Sequence, residues 1–496
     1  MPPPSVAVYA SQIHTAVTQQ DSRALSFLFA LAPPPHSRDN HADDVLDWLG
    51  RGERGNAWVD RTLHATNPGY VSVFKQKLSG GACKNGPWAD MATAHVWALV
   101  ALRPPPHLET GQLMYPPDFA VAYAKTHELV TALYRYLIDA RDAQTGWLLP
   151  LLFQVCKDLR GVAQQADDYL LSTSQKATKL EEASRLFQKC FSACLNDRAA
   201  DPLMSRKMGT YFLANLLFKV YFRLNSTTLC RNIIRGINAS DLPPLSRFPR
   251  AHQVTYTYYM GVFAFLREDY DEAEKRFEEA LRGTHRKVTR NISLILDYLI
   301  PLLLRRGILP SPRIYKRSSN ATHESLFKPF AEAIKDGDVA AYDRQLEREE
   351  KRLMQRGTYL VVEKARENAV RGCLKKAWIL EGKPARLSIE KFREYYNAAQ
   401  RVGAEGGSSE AVEVDAEEME CLLAVMVYKG LIKGYISHTH QLVVLSKEKP
   451  FPWFAPYRPL DTLAAQDRAR REMEERQRKV EVLPVVGENG GAASGA

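Results

Sequence analysis

The chain lacks any apolar run close to the roughly 18 residues that a membrane span needs. The longest candidate, residues 294–304, is broken by Asp297 and Pro301. It also lacks a basic segment followed by an apolar stretch at its start, which opens Met-Pro-Pro-Pro, so no secretory signal is expected. Cysteine is sparse, 7 in 496 residues, and odd in number, which argues for reduced thiols rather than a disulfide framework. Glycine and proline, 28 each, sit near the globular average and exclude collagen-like, mucin-like and wholly disordered chains. Alternating apolar and polar residues are almost absent before position 430, so few strands are expected. What remains is an intracellular, soluble, folded and largely helical protein.

Charge is uneven. Lys and Arg outnumber Asp and Glu by 67 to 57. Residues 282–317 hold nine Lys/Arg against Asp297 alone, and residues 351–401 hold thirteen against five Glu. Such runs form either solvated helix faces or a surface for a polyanion or an acidic partner.

Proline triplets at 2–4, 33–35 and 104–106 punctuate the first hundred residues, with short helices expected between them at 43–49 and 89–102. Longer amphipathic segments follow at 119–140, 148–168, 180–195 and 205–224. Residues 251–266 carry Val254, Tyr258, Gly261, Val262 and Phe265 at helical spacing. After the polar turn 267–269, Ala273, Phe277, Ala280 and Leu281 share the face of a second helix ending at Gly283, a suitable residue just past a helix. Gly261 and Ala273 are small where two helices must approach, which is the logic of a tetratricopeptide-like array.

Past residue 325 the pattern changes. Asp336-Gly337-Asp338 precedes a helix with Val339, Tyr342 and Leu346, and further helices are expected at 358–380, 387–399 and 416–428. The period then switches to two at 431–436 and 441–445 around a turn at 437–440, so helices run into a small hairpin, as in a winged helix. Pro450, Pro452, Pro456 and Pro459 mark a linker, followed by a mixed-charge helix at 461–479 and a flexible end. The expected layout is an N-terminal helical region at 1–165, a helical-repeat array at 166–340, a winged-helix module at 341–452 and a tail at 453–496.

A helical array capped by a winged helix resembles the PCI domain, here about residues 251–450. The stretch 209–225, Gly-Thr-Tyr-Phe-Leu-Ala-Asn-Leu-Leu-Phe-Lys-Val-Tyr-Phe-Arg-Leu-Asn, with Leu229, Cys230, Ile233, Ile234 and Arg235, is similar to the subfamily of PCI domain-containing protein 2 and COP9 signalosome complex subunit 12. So is Lys433-Gly-Tyr-Ile-Ser-His-Thr-His440 with Lys449-Pro-Phe-Pro452. The likeness spans roughly 165–452; the proline-punctuated start, the insertion at 403–410 and the tail depart from it. It implies a non-catalytic scaffold of the nuclear transcription-export complex, acting in messenger-RNA export beside a second PCI protein and a small acidic DSS/Sem-type subunit, with RNA or DNA contact. The alternative it implies is a scaffold of the COP9 signalosome, which deneddylates cullins, without a nucleic-acid role.

Motifs that suggest catalysis fail on chemistry. Residues 50–55 spell G-x-G-x-x-G, but the preceding segment reads as helix, whereas a dinucleotide site needs a strand there. The glycine-rich stretch 80–86 lacks the Gly-Lys-Ser/Thr ending of a phosphate loop. His438 and His440 give half a zinc sphere, Gln441 follows them, and the next Asp is Asp461, so a wing turn is the better reading. Cys190 and Cys194 have no His or Cys partners nearby in sequence and read as buried thiols. No G-x-S-x-G elbow occurs. Neither an enzyme nor a cofactor or metal is expected.

Assembly is expected through edge-to-edge pairing of winged helices, with Leu442 and Val444 on the hairpin. An acidic partner is expected on Arg286, Lys287, Arg290, Arg305 and Arg306, with Trp378 as aromatic anchor. The helix at 416–428 opens with Glu417, Glu418 and Glu420, which repel phosphate, so it is not expected to read a groove. Phosphate contacts are instead expected from Arg366, Arg371, Lys375, Lys376, Lys383, Arg386, Lys429, Lys433, Lys447 and Lys449.

Overall fold

The computed structural model describes residues 4–31, 75–78, 83, 86–102, 117–139, 145–199, 205–315, 322–404 and 413–452. The triplets at 33–35 and 104–106, the segment 43–49, the motif at 50–55, most of 80–86, most of the insertion at 403–410 and the tail from 453 lie outside the described residues. Contacts divide the chain into two compact units, residues 1–256 and 257–496.

In the first unit, α1 (Pro4–Thr18) and α2 (Ser22–Leu28) precede α3 (Trp88–Leu102), α4 (Phe119–Asp139), α5 (Leu149–Ser172), α6 (Lys179–Leu195), α7 (Thr210–Arg223) and α8 (Thr227–Ala239). From α3 onward each helix packs on its successor, because each carries one apolar stripe that only a neighbour can cover. Buried carboxylates close the connections. Thr178 leaves the first turn of α6 uncapped, and Asp167 of α5 accepts from the Lys179 and Leu180 amides at 2.8 Å each. Asp197 accepts from Ser205 Oγ and the Arg206 amide, both at 2.8 Å, before α7 begins. Cys190 and Cys194 are buried thiols, as expected, and lie with the buried Cys156 of α5.

Helix α9 (Arg250–Leu266) contains the division between the units. The second unit continues with α10 (Tyr270–Gly283), α11 (Thr289–Arg305), a single turn at Pro312–Tyr315, α12 (Thr322–Asp336), α13 (Val339–Arg356) and α14 (Tyr359–Leu380). A Cβ on Gly261 would lie 2.9 Å from the Phe277 ring, and Ala273 is fully buried, so small residues stand where α9 and α10 approach. Gly283 is the last residue of α10 and not its left-handed terminator; the following Thr284 is extended. Asp338 caps α13 by accepting from the Ala341 amide at 2.8 Å.

Helix α14 lies against α11, α12 and α13. Gly337, with φ +60°, turns the chain between α12 and α13, and a Cβ there would sit 2.6 Å from the Cys373 nitrogen and from the Gly372 carbonyl carbon. The approach is backbone on backbone.

After α14 come β1 (Arg386–Ser388), α15 (Ile389–Ala404), α16 (Ala416–Tyr428), β2 (Gly434–Ser437) and β3 (Leu442–Leu445), the order of a winged helix. The antiparallel sheet has the order β1-β3-β2. Three details differ from the sequence reading. Residues 386–388 form a strand because Arg386, Leu387 and Ser388 pair with Val444, Val443 and Leu442, so the next helix starts at Ile389 and not at 387. Gln441 takes φ +50° and closes the wing turn, leaving β3 to begin at Leu442. Finally, β3 is the central strand, so the open edge of the hairpin is β2 and not the strand bearing Leu442 and Val444.

Gly337 and Gly357 are both left-handed, but nothing lies within 4 Å of a Cβ on Gly357. Gly357→Ala is expected to cost about 1 kcal/mol from backbone strain alone. Gly337→Ala adds a clash with immovable backbone and should cost at least about twice that in urea unfolding.

Candidate nucleic-acid and partner interface

The expected phosphate-binding cations fall into two groups. The first is on or beside α14, and all of it except Lys375 is engaged inside the module. Arg366 makes a bidentate pair with Asp343 of α13, at 2.6 and 2.7 Å, and reaches Tyr396 Oη of α15 at 3.3 Å. Its hydrogen bonds to Asp343 raise its pKa further. Arg371 donates to the carbonyls of Leu431 and Pro452, fastening the segment after β3 onto α14, and burial lowers its pKa. Lys376 donates to the Asp336 carbonyl, and Lys429 pairs with Glu367 at 2.5 Å. Lys375 is half-buried. Fork geometry and short contacts tie Arg366, Arg371, Lys376 and Lys429 to their partners, so most of this group's charge holds the module together.

The second group gathers at one end of the sheet. Arg386 lies opposite Val444, the Leu445 amide donates to the Ala385 carbonyl, and Gly434 lies opposite Leu445. The Ser446 amide then donates to the Lys433 carbonyl at 2.8 Å, and the Lys433 amide to the Pro450 carbonyl at 2.7 Å. This register brings Lys383, Arg386, Lys433, Lys447 and Lys449 to the end of the sheet where β3 stops. All five are exposed, and none has an acidic partner among the described residues. Lys383 and Lys449 are left-handed, at φ +60° and +46°, in the two turns that frame this end.

The opposite end of the sheet is acidic. Asp415 caps α16 and forms a reciprocal capping box with Glu418, which explains the carboxylates of its first turn. Glu420 holds His438 through both oxygens at 2.9 Å, and His440 Nδ1 meets Ser437 Oγ at 3.1 Å, so both wing histidines are engaged in the turn. The sheet therefore separates charge along its strands.

The expected partner residues also divide. Arg286, Lys287 and Arg290 are exposed before and at the start of α11. Arg305 instead pairs with Asp271 at 3.4 Å and lies 4.7 Å from the Tyr270 ring, with its side chain 4% exposed. Arg306 pairs with the buried Glu274 at 2.6 Å. Trp378 donates Nε1 to the Pro384 carbonyl at 2.9 Å and packs against Phe451 at 5.6 Å, so its ring is covered by this chain's own segment. Leu442 and Val444 are half-buried in the central strand. Among the described residues no helix is long and apolar enough to cross a membrane.

The counter-charges Asp343, Glu367, Asp271 and Glu274 escaped the sequence reading. They lie 23, 62, 34 and 32 positions from their cations. No local spacing rule reaches that far, and only the three-dimensional packing of helices joins them.

Comparison with known proteins matches the PCI domain over residues 339–447, from the start of α13 to just beyond β3. The chain is 34% identical over 478 residues to the protein CSN12 homolog of Mycosarcoma maydis, covering 90% of this chain and 97% of that one. It is 33% identical over 401 residues to the protein CSN12 homolog of Schizosaccharomyces pombe, covering 78% and 88%. The PCI domain-containing protein 2 homolog of Drosophila melanogaster is 31% identical over 392 residues, covering 79% and 91%. An all-helical array ending in a winged helix, matched at this identity over nearly the whole of its relatives, makes this chain a member of the PCI-domain family, among the CSN12 and PCI domain-containing protein 2 homologues.

Proposed function

We propose that the protein is a non-catalytic scaffold subunit of a nuclear complex for transcription-coupled messenger-RNA export. It pairs there with a second PCI protein and a small acidic DSS/Sem-type subunit, and it contacts RNA or DNA through the cationic end of its winged-helix sheet. The observation that carries the reading is the register that gathers Lys383, Arg386, Lys433, Lys447 and Lys449 at that end, without acidic partners among the described residues. Flexible exposed cations of this kind contact phosphates without reading sequence, which suits a platform meeting many transcripts. The open edge of β2, with Tyr435 62% exposed, supports pairing with another sheet. Arg286, Lys287 and Arg290 remain available to an acidic partner.

A second reading, a COP9 signalosome scaffold that binds protein alone, draws support from the internal engagement of Arg366, Arg371, Lys376 and Lys429. The two readings separate in one experiment. Reversing Lys383, Arg386, Lys433 and Lys447 to Glu in the reconstituted complex should lower affinity for single-stranded RNA at least about tenfold. It should also flatten the salt dependence by about three units of slope, at roughly 0.7 per lost phosphate contact. Unchanged binding across a salt titration would reject the export platform and leave the protein-binding scaffold.

The α14 cations should respond differently. Arg366→Ala abandons Asp343 in a half-buried site and is expected to cost about 1–3 kcal/mol of stability in urea unfolding. Lys383→Ala should fall within about 0.5 kcal/mol of the parent.

A further inference from the structure

The sequence Arg286-Lys287-Val288-Thr289 runs through the turn that joins α10 to α11. Among the described residues, Thr289 is the one serine or threonine with cations at both the second and third positions before it. Three neighbouring patterns show what the structure adds to that spacing. Arg223 stands three positions before Ser226, but it pairs with Asp168 at 2.8 Å, and Ser226 Oγ already donates to the Leu224 carbonyl at 3.2 Å. Lys207 stands three positions before Thr210, which is fully buried. Arg290 stands three positions before Ser293, which is wound inside α11. At Thr289 none of these obstacles applies. Arg286 and Lys287 are exposed without an acidic partner among the described residues, and Val288 is 41% exposed. Thr289 is half-buried, and its hydroxyl makes no hydrogen bond among the described residues.

The backbone around this hydroxyl can open. Helix α11 begins at Thr289, so its first amides have no acceptor inside the helix. Few bonds hold the turn: the Val288 amide on the His285 carbonyl at 3.0 Å, the Lys287 amide on His285 Nδ1 at 3.3 Å, and the Ile292 amide on the Val288 carbonyl at 3.2 Å. Cations two and three positions before a hydroxyl suit a kinase whose peptide cleft is lined with carboxylates, because both ion pairs form only when the hydroxyl lies at the γ-phosphate. We propose that Thr289 is a phosphorylation site for a protein kinase that selects basic residues. Thr289 Oγ attacks the γ-phosphorus of ATP and the Oγ–P bond forms. The bond from that phosphorus to the β–γ bridging oxygen breaks, its electron pair leaves with ADP, and the hydroxyl proton passes to the kinase's aspartate base. The product has partners on this chain. Helix α11 has no acidic residue in its first turn and no side-chain cap, and Arg286, Lys287 and Arg290 lie within three positions of Thr289. The roughly two negative charges of the phosphate offset about two of those three cations, so a cationic turn becomes a nearly neutral one.

The test incubates the full chain with ATP, magnesium and the catalytic subunit of cyclic-AMP-dependent protein kinase, and in parallel with a kinase that selects acidic residues. Phosphorylated positions are mapped by mass spectrometry. The first enzyme should modify Thr289 and the second should leave it unmodified. Arg286→Ala with Lys287→Ala should slow modification of Thr289 at least about tenfold with circular dichroism unchanged, and Thr289→Ser should preserve it. In the modified chain, deuterium exchange of the Arg290, Asn291 and Ile292 amides should slow at least about twofold. An unmodified Thr289 in the folded chain would overturn the proposal, whether or not a peptide of residues 284–293 is modified. Modification of Ser293 in its place, or an unchanged rate in the Arg286/Lys287 variant, would overturn it as well.

Discussion

Helix α14 can lie on the turn between α12 and α13 only because positions 337 and 372 both lack a side chain. With backbone against backbone there, the polar side chains of α14 fall within reach of the elements around it. Asn368 donates to the Leu304 and Arg305 carbonyls at the end of α11, at 2.8 and 2.9 Å. Lys364 reaches Glu268 at 3.0 Å, Arg366 reaches α13 and α15, and Arg371 reaches the segments on either side of the hairpin. Each bond is modest, but the groups are partly removed from water, where leaving any one unmade costs more than making it returns. The winged helix is thereby fixed to the last helices of the array through one shared helix.

That arrangement decides where charge can act. A sequence counts cations, whereas function depends on which of them keep their hydration and freedom. Arg366, Arg371, Lys376 and Lys429 spend their donors on carboxylates and carbonyls. The cations around the sheet sit in turns and strand ends, where the backbone bonds to the ladder and the side chains remain outside. At the other end of the same sheet, the carboxylates of α16 cap their own helix and hold the wing. A mainly cationic surface, interrupted by the exposed Glu448, is thus placed beside an open strand edge, which is the arrangement that the proposed RNA and partner contacts require.

The helices were legible because their apolar stripes are long and strictly periodic. Residues 416–428 and the helix approach at Gly261 and Ala273 follow directly from spacing, and the wing turn follows from the switch to period two. The strand Arg386–Ser388 was not legible, since three residues carry no period and the segment becomes a strand only by pairing with β3. The candidate site was legible in part. Its exposed lysines could be named, but the engagement of Arg305 by Asp271 and of Trp378 by Phe451 depends on helices brought together by packing.

The central claim is that polyanions meet the sheet end and not α14. Photocrosslinking of the reconstituted complex to a short uridine-rich RNA, followed by mass spectrometry of the adducts, reads this directly. The account predicts adducts on peptides containing Lys383, Arg386, Lys433 and Lys447, and none on residues 359–376. Adducts concentrated on Arg366, Arg371 and Lys376 would contradict it, since those side chains would then have to leave Asp343, Leu431 and Asp336 to meet RNA.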